Sequence, residues 1–160
     1  MPEVDELRTG EPAEVVLENA RRKARAGSEA TRDAQAVVLG VDTDVAVDGR
    51  LLGKAGTEEE ARERLELLSG RTHEVLSGMV LLGAGERSGV ARSEVTFKRL
   101  DEQTLSMYLD SEEWRDRAGA YAIQGLGAIL VEELRGDFSN VVGLPLALLL
   151  DMAPELGKSL

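Results

Sequence analysis

No cysteine occurs anywhere in the 160 residues. A disulfide framework is therefore excluded, and so is any metal site that depends on thiolate ligands. Histidine is almost as scarce: His73 stands alone, so a two-histidine metal motif cannot form. One Trp, two Tyr and two Phe make up 3% of the chain, too few to build stacking platforms for single-stranded nucleic acid. Positive charge is in deficit, with 19 Lys and Arg against 30 Asp and Glu and a formal net charge of −11. Such a surface repels the phosphate backbone of DNA or RNA. A polyanion that does bind is expected to be small and to come with a divalent metal. Long apolar runs are missing too: "LPLALLL" is interrupted by Pro145 and stopped by Asp151, well short of the roughly 20 residues of a membrane span. The amino terminus "MPEVDELRTGEPAE" has no basic segment leading into an apolar one. A cytoplasmic enzyme or binding protein is expected.

What is present suits one compact domain over residues 1–160, with 42% hydrophobic residues to supply its core. Ala13, Val16, Leu17, Ala20 and Ala24 form a helical stripe from Pro12 to about Ala26. "AVVLGV" (36–41) reads as a strand covered on both faces, which places Asp42 at its carboxyl end. Asp48-Gly49 between two apolar triplets predicts a two-residue hairpin that returns Lys54 toward Asp42. Thr57 and Glu60 form a capping-box pattern ahead of Ala61, Leu65 and Leu68, with Gly70 as a stop. "THEVLSGMVLL" and "VARSEVTFKRL" predict an antiparallel hairpin with one wet face. Asp101 is placed to cap a short helix, "GAYAIQGLGAILVEEL" reads as two strands divided by Gly125 and Gly127, and a last helix starts at Leu144 or Pro145. Helices and strands thus alternate with both hairpins and longer connections, which predicts an α/β or α+β fold around a mixed sheet.

Several groups could carry chemistry, and each has a plainer reading. A carboxylate beside a buried strand, as expected of Asp42, is desolvated unless paired, hydrogen-bonded or bound to metal. It could equally satisfy loop amides. Asp48 is explained by its turn, and Asp44 stays open. Lys54 follows a glycine but lacks the spacing of a Walker phosphate loop. Lys23 lies in the basic cluster "RRKAR", most simply a solvated helix face. His73 is expected to serve as a structural hydrogen-bonding group. Gln124, set among glycines, could offer a donor and an acceptor to a nucleobase edge or simply mark a bend. Asp137, Ser139 and Asn140 read as turn and cap residues, and the acids Glu58, Glu59 and Glu60 as a first turn complementing the helix dipole.

The order of these motifs is more specific than any one of them. "VDE", "ARRKA", "GVDT", "LLGKAGTEEEARERLELLSGRTHEV", "RAGAYAIQG" and "GDFSNVVGLP", spread over nearly the whole chain, closely resemble the Maf family of septum formation proteins. The resemblance implies a Maf or inosine-triphosphatase-like fold, a central mixed and curved sheet flanked by helices. It also implies hydrolysis of nucleoside triphosphates to the monophosphate and pyrophosphate with Mg²⁺ or Mn²⁺. On that resemblance Asp42 matches the catalytic aspartate, Glu6 and Lys23 an active-site acid and lysine, and Lys54 a phosphate-side lysine. Glu6 and Asp42 are then the expected metal ligands. Thr43 and Gln124 match residues associated with base choice, and "DT" with "IQG" resembles members that prefer dTTP, UTP and related pyrimidines. The resemblance further suggests a homodimer.

Family members begin with a strand and a loop similar to "LASASPRR", whose serine and arginine contact the nucleotide; this stretch is not among the 160 residues. Its place in the phosphate site sets the alternative expectation, a noncatalytic nucleotide-binding or division-linked interaction protein. Smaller departures are Ala55 where proline is usual, Arg22 where glutamate is common, and Asp44 in place of an apolar residue.

Overall fold

A computed structural model describes residues 4–33 and 35–158. Helix α1 (Pro12–Ala30) opens on Pro12 in its first turn, with the Glu11 carboxylate accepting from Glu14 N–H. Strand β1 (Val38–Val47) turns at Asp48 and Gly49, both at positive φ, into the two-residue β2 (Arg50–Leu51). This is the primed turn that matches the twist of the flanking strands. Helix α2 (Glu58–Leu68) is capped by Thr57, and its Glu60 carboxylate reaches Gly56 N–H at 2.8 Å. Strands β3 (Thr72–Leu82) and β4 (Glu86–Phe97) form the long hairpin, and Asp101 caps α3 (Glu102–Asp110). After a loop come a 3-10 turn (Leu126–Leu130), β5 (Val131–Arg135), and the short helices α4 (Phe138–Val142) and α5 (Leu146–Met152).

The α/β class holds, with strand order β2-β1-β3-β4-β5. Every pairing among the described residues is antiparallel, where a mixed sheet was expected. The chain leaves β1 through β2 and α2 and re-enters beside it at the same end, with Glu74 opposite Ala46, so β3 runs back antiparallel and no parallel crossover is made. Residue α1 stripe positions Val16, Ala20 and Ala24 cover one face of β1 and β3, meeting Ala46, Leu76 and Val80. The other face carries the main core, in which Leu65, Phe97, Tyr108, Trp114 and Leu130 are all buried. β3 therefore lies mid-sheet with nearly every residue buried, and the expected wet face of the hairpin is confined to β4.

Two glycines let α1 lie directly on the sheet. A methyl group at Gly40 would stand 2.2 Å from the Ala20 carbonyl oxygen, and one at Gly78 would stand 2.3 Å from that of Val16. No larger residue fits at either place without moving the helix.

Two sequence expectations are corrected. β1 does not end before Asp42 but runs on to Val47, because Asp42, Thr43 and Asp44 pair with Gly78, Ser77 and Leu76 of β3. "GAYAIQGLGAILVEEL" supplies one strand, not two. The Glu113 carboxylate accepts the N–H groups of Leu126 and Gly127, so those donors need no ladder partner, and Gly127 packs against the Ala122 carbonyl.

Candidate active site

Asp42 projects from β1 toward α1. Its Oδ1 accepts from Lys23 Nζ at 2.6 Å and its Oδ2 from Asn19 Nδ2 at 3.2 Å. Lys23 Nζ is also 2.7 Å from Glu6 Oε1, so one ammonium joins two carboxylates. Burial works against the charged lysine, but hydrogen bonds to Asp42 and Glu6 and their charges outweigh it and hold its pKa above the ordinary value. Asn19 and Lys23 lie one helical turn apart and therefore share a face. The close approach at Gly40 and Gly78 brings that face within reach of β1.

Thr43, the next residue, faces the other way. Its hydroxyl is 2.7 Å from Ser77 Oγ and 3.5 Å from the Gly143 carbonyl. It lines a cavity of about 130 Å³ shared with Lys54, Arg117, Tyr121, Gln124 and Gly143. The sequence-predicted residues are thus brought into two groups. Glu6, Lys23 and Asp42 meet on the α1 side, and Thr43, Lys54 and Gln124 line the cavity. The hairpin carries Lys54 to Thr43's side of the strand; no hydrogen bond or ion pair joins it to Asp42 among the described residues.

Both groups are held by their surroundings. Asp44 Oδ1 accepts from Val45 N–H at 2.7 Å and Gly53 N–H at 2.9 Å, while the Gly53 carbonyl accepts from Gly119 N–H. Lys54 follows in a bridge to Ala118. Burial pushes the Asp44 carboxyl up to about 6; its two backbone donors oppose this and the charge of Asp42 adds to it. On the far side of the cavity, Tyr108 Oη accepts from Ala122 N–H, and the Glu113 carboxylate anchors the turn that follows Gln124. His73 Nε2 lies 2.8 Å from Tyr121 Oη in a buried edge-to-face cluster with Phe97, the structural role expected of it. Asp137 caps α4 through Ser139 N–H, as its position suggested. Asn140 does more than cap: fully buried, it donates to the Val75 carbonyl and Ser93 Oγ and so ties α4 to β3 and β4.

Sequence reasoning missed Asn19, Ser77, Glu113 and Tyr121. For Asn19 a signal existed, since it is a polar residue inside the buried stripe of Val16, Ala20 and Ala24. Ser77, alternating with Leu76 in a strand, carried no comparable mark.

Glu6 and Asp42 suit a divalent cation in their chemistry. Mg²⁺ is commonly held by one or two carboxylates together with waters and substrate phosphates. The two carboxylates already converge on one positive centre, the Lys23 ammonium. No group of three or more acids or histidines arranged for metal occurs among the described residues, so further ligands would come from water and substrate.

Comparison with known families decides the kinship. The Maf-like protein model matches residues 1–156. The chain belongs to the Maf family. Its relatives within that family include the dTTP/UTP pyrophosphatase of Pyrococcus furiosus, 39% identical over 158 residues that cover 98% of this chain and 81% of the relative. The dTTP/UTP pyrophosphatase of Thermococcus onnurineus is 44% identical over 154 residues, covering 96% of this chain and 82% of the relative. That of Deinococcus radiodurans is 42% identical over 158 residues, covering 98% and 80%. Among the described residues no helix is long and apolar enough to cross a membrane.

Proposed function

We propose that this Maf protein hydrolyses dTTP, UTP and related pyrimidine nucleoside triphosphates to the monophosphate and pyrophosphate, with Mg²⁺ or Mn²⁺ held by Glu6 and Asp42. The observation that carries the reading is the pairing of an acid–lysine–acid cluster with a cavity lined by Thr43, Lys54 and Gln124 on the two sides of one strand at adjacent residues. Relatives named as dTTP/UTP pyrophosphatases support it, and favour catalysis over the noncatalytic alternative.

In this reading the base enters the cavity, where the Gln124 amide and Thr43 hydroxyl offer both donor and acceptor groups to its edge. Among the described residues, β2 pairs with β1 only at Ala46 and Val47. The phosphates would cross the edge of β1 beside Asp42 and Thr43, passing from the cavity to the acidic cluster. Asp42 accepts a proton from the water that attacks the α-phosphorus; the bond to the bridging oxygen breaks and pyrophosphate leaves. Lys23 and Lys54 meet the charge that develops on the phosphoryl oxygens and the leaving group. A bound divalent ion would neutralise phosphate charge and polarise the attacking water. It would also reconcile a chain of net charge −11 with a polyanionic substrate. A cytoplasmic location and a homodimer belong to the same reading; light scattering tests the latter.

The test is pyrophosphate release from dTTP, UTP, CTP, GTP and ITP with and without Mg²⁺. Metal-dependent turnover led by dTTP and UTP supports the reading. A folded chain that releases no pyrophosphate from any of them contradicts it.

A further inference from the structure

Asn19 is 3% exposed, and its short side chain makes three hydrogen bonds. Oδ1 accepts from Leu7 N–H at 2.7 Å, while Nδ2 donates to the Leu7 carbonyl at 2.9 Å and to Asp42 Oδ2 at 3.2 Å. The partners leave no choice of orientation: turning the amide over would set NH₂ against N–H and oxygen against both the carbonyl and the carboxylate. Asn19 thus grips both polar groups of one residue, Leu7, as a neighbouring strand would, and uses its remaining N–H on Asp42. Leu7 is next to Glu6. The same side chain therefore fixes where the Glu6 carboxylate starts from and how the Asp42 carboxylate is turned, and Lys23, one turn on, bridges the two at 2.7 and 2.6 Å.

We infer that Asn19 is a positioning residue for the reaction, holding the segment of Glu6 against α1 and orienting Asp42 so that the two carboxylates converge on one cation position. The inference rests on the pyrophosphatase reading of the site. The backbone contact of α1 with β1 at Gly40 makes it possible, since a side chain as short as asparagine spans helix to strand only when the two are that close. Arg22 adds a second tie, from Nη1 to the Asp5 carbonyl at 2.6 Å. Removing Asn19 therefore loosens the segment without freeing it entirely.

Two substitutions separate the positioning role from simple stabilisation. Asn19→Ala removes all three hydrogen bonds. Asn19→Asp keeps the size and the acceptor for Leu7 N–H but replaces the donor that faces both Asp42 and the Leu7 carbonyl with a second carboxylate. The measurements are hydrogen exchange at Leu7 N–H and steady-state kinetics with UTP on both variants, at a temperature where each is folded. Leu7 exchange is expected to accelerate at least about tenfold in Asn19→Ala and by less in Asn19→Asp, which keeps the acceptor for Leu7 N–H but loses the donor to the Leu7 carbonyl. In both variants kcat falls about 100-fold, the scale of a misplaced reacting group, with KM for UTP close to wild type. Unchanged Leu7 exchange in Asn19→Ala overturns the inference. So does faster exchange with kcat unchanged in both variants, which would leave Asn19 a merely structural role. An inactive wild-type chain would refute the pyrophosphatase reading and the catalytic part of this inference with it, whereas active wild type with unaffected variants refutes the inference alone.

Discussion

Asp42 and Thr43 are consecutive residues that work on opposite faces of β1. The Asp42 carboxylate is held by Asn19 and Lys23 of α1, and the Thr43 hydroxyl by Ser77 above a cavity lined by Gln124. Side chains alternate along a strand, so two adjacent residues here separate a charged cluster from a recess of about 130 Å³. Among the described residues, the edge of β1 beside them has no strand partner on the side where β2 pairs.

Gln124→Ala tests the proposed recognition of the base in the cavity. The substitution is expected to lower kcat/KM for UTP about tenfold, the worth of one lost hydrogen bond of ~1.5 kcal/mol. The fall should be smaller for CTP, so that the preference between the two narrows. Parallel kinetics with UTP and CTP check this, and an unaltered preference would remove Gln124 from base choice.

The contact of α1 with β3 predicts a large stability effect from a small substitution. Gly78→Ala would bring a methyl carbon to 2.3 Å from the Val16 carbonyl oxygen, a helix backbone atom that cannot swing aside as a side chain can. Stability is expected to fall by about 3 kcal/mol as α1 is pushed from the sheet. Because α1 carries Lys23 and Asn19, turnover should fall as well. Urea denaturation and kinetics on the same preparation measure both.

His73 predicts a pH dependence of stability. Burial lowers its pKa to about 4 from an ordinary 6.5. The unfolded chain takes up this proton near pH 6.5 and the folded chain only near pH 4. The contribution is therefore fully present above pH 6.5 and is lost as pH falls toward 4, by roughly 3 kcal/mol in all. Asp44 has the opposite sign: its carboxyl is raised from 3.8 to about 6, so its contribution is present below pH 3.8 and lost as pH rises through about 6. Comparing wild type with His73→Gln cancels the Asp44 slope. The difference in unfolding free energy should change between pH 6.5 and 4 and be flat above 6.5; a flat difference throughout would contradict the assignment.

Local signals were legible wherever local physics decides the outcome. The Asp48-Gly49 turn, the Thr57 and Asp101 caps and the α1 stripe can be read from a few neighbouring residues, and all are present. The extent of β1 was not legible. A strand carrying Asp42, Thr43 and Asp44 in succession looks like a loop until β3 supplies the ladder, Ser77 a hydroxyl and α1 a lysine. The 3-10 turn after Gln124 was hidden for a similar reason, since its N–H groups are satisfied by Glu113, a side chain in another segment. Resemblance to a family indicated the candidate residues, but their division between two faces of a strand emerged only in three dimensions. The same holds for Asn19, whose partners lie 12 and 23 positions away.

The central claim is that Asp42 accepts the proton of the attacking water within the cluster of Glu6 and Lys23. Asp42→Asn keeps the side chain's size while removing its charge and basicity, and pyrophosphate release from UTP at saturating Mg²⁺ should fall roughly 10²–10⁴-fold, the usual contribution of a positioned general base. Thermal unfolding of the same sample establishes that the fold persists. Turnover by folded Asp42→Asn at a rate comparable to wild type would contradict the account and place the chemistry elsewhere on the molecule.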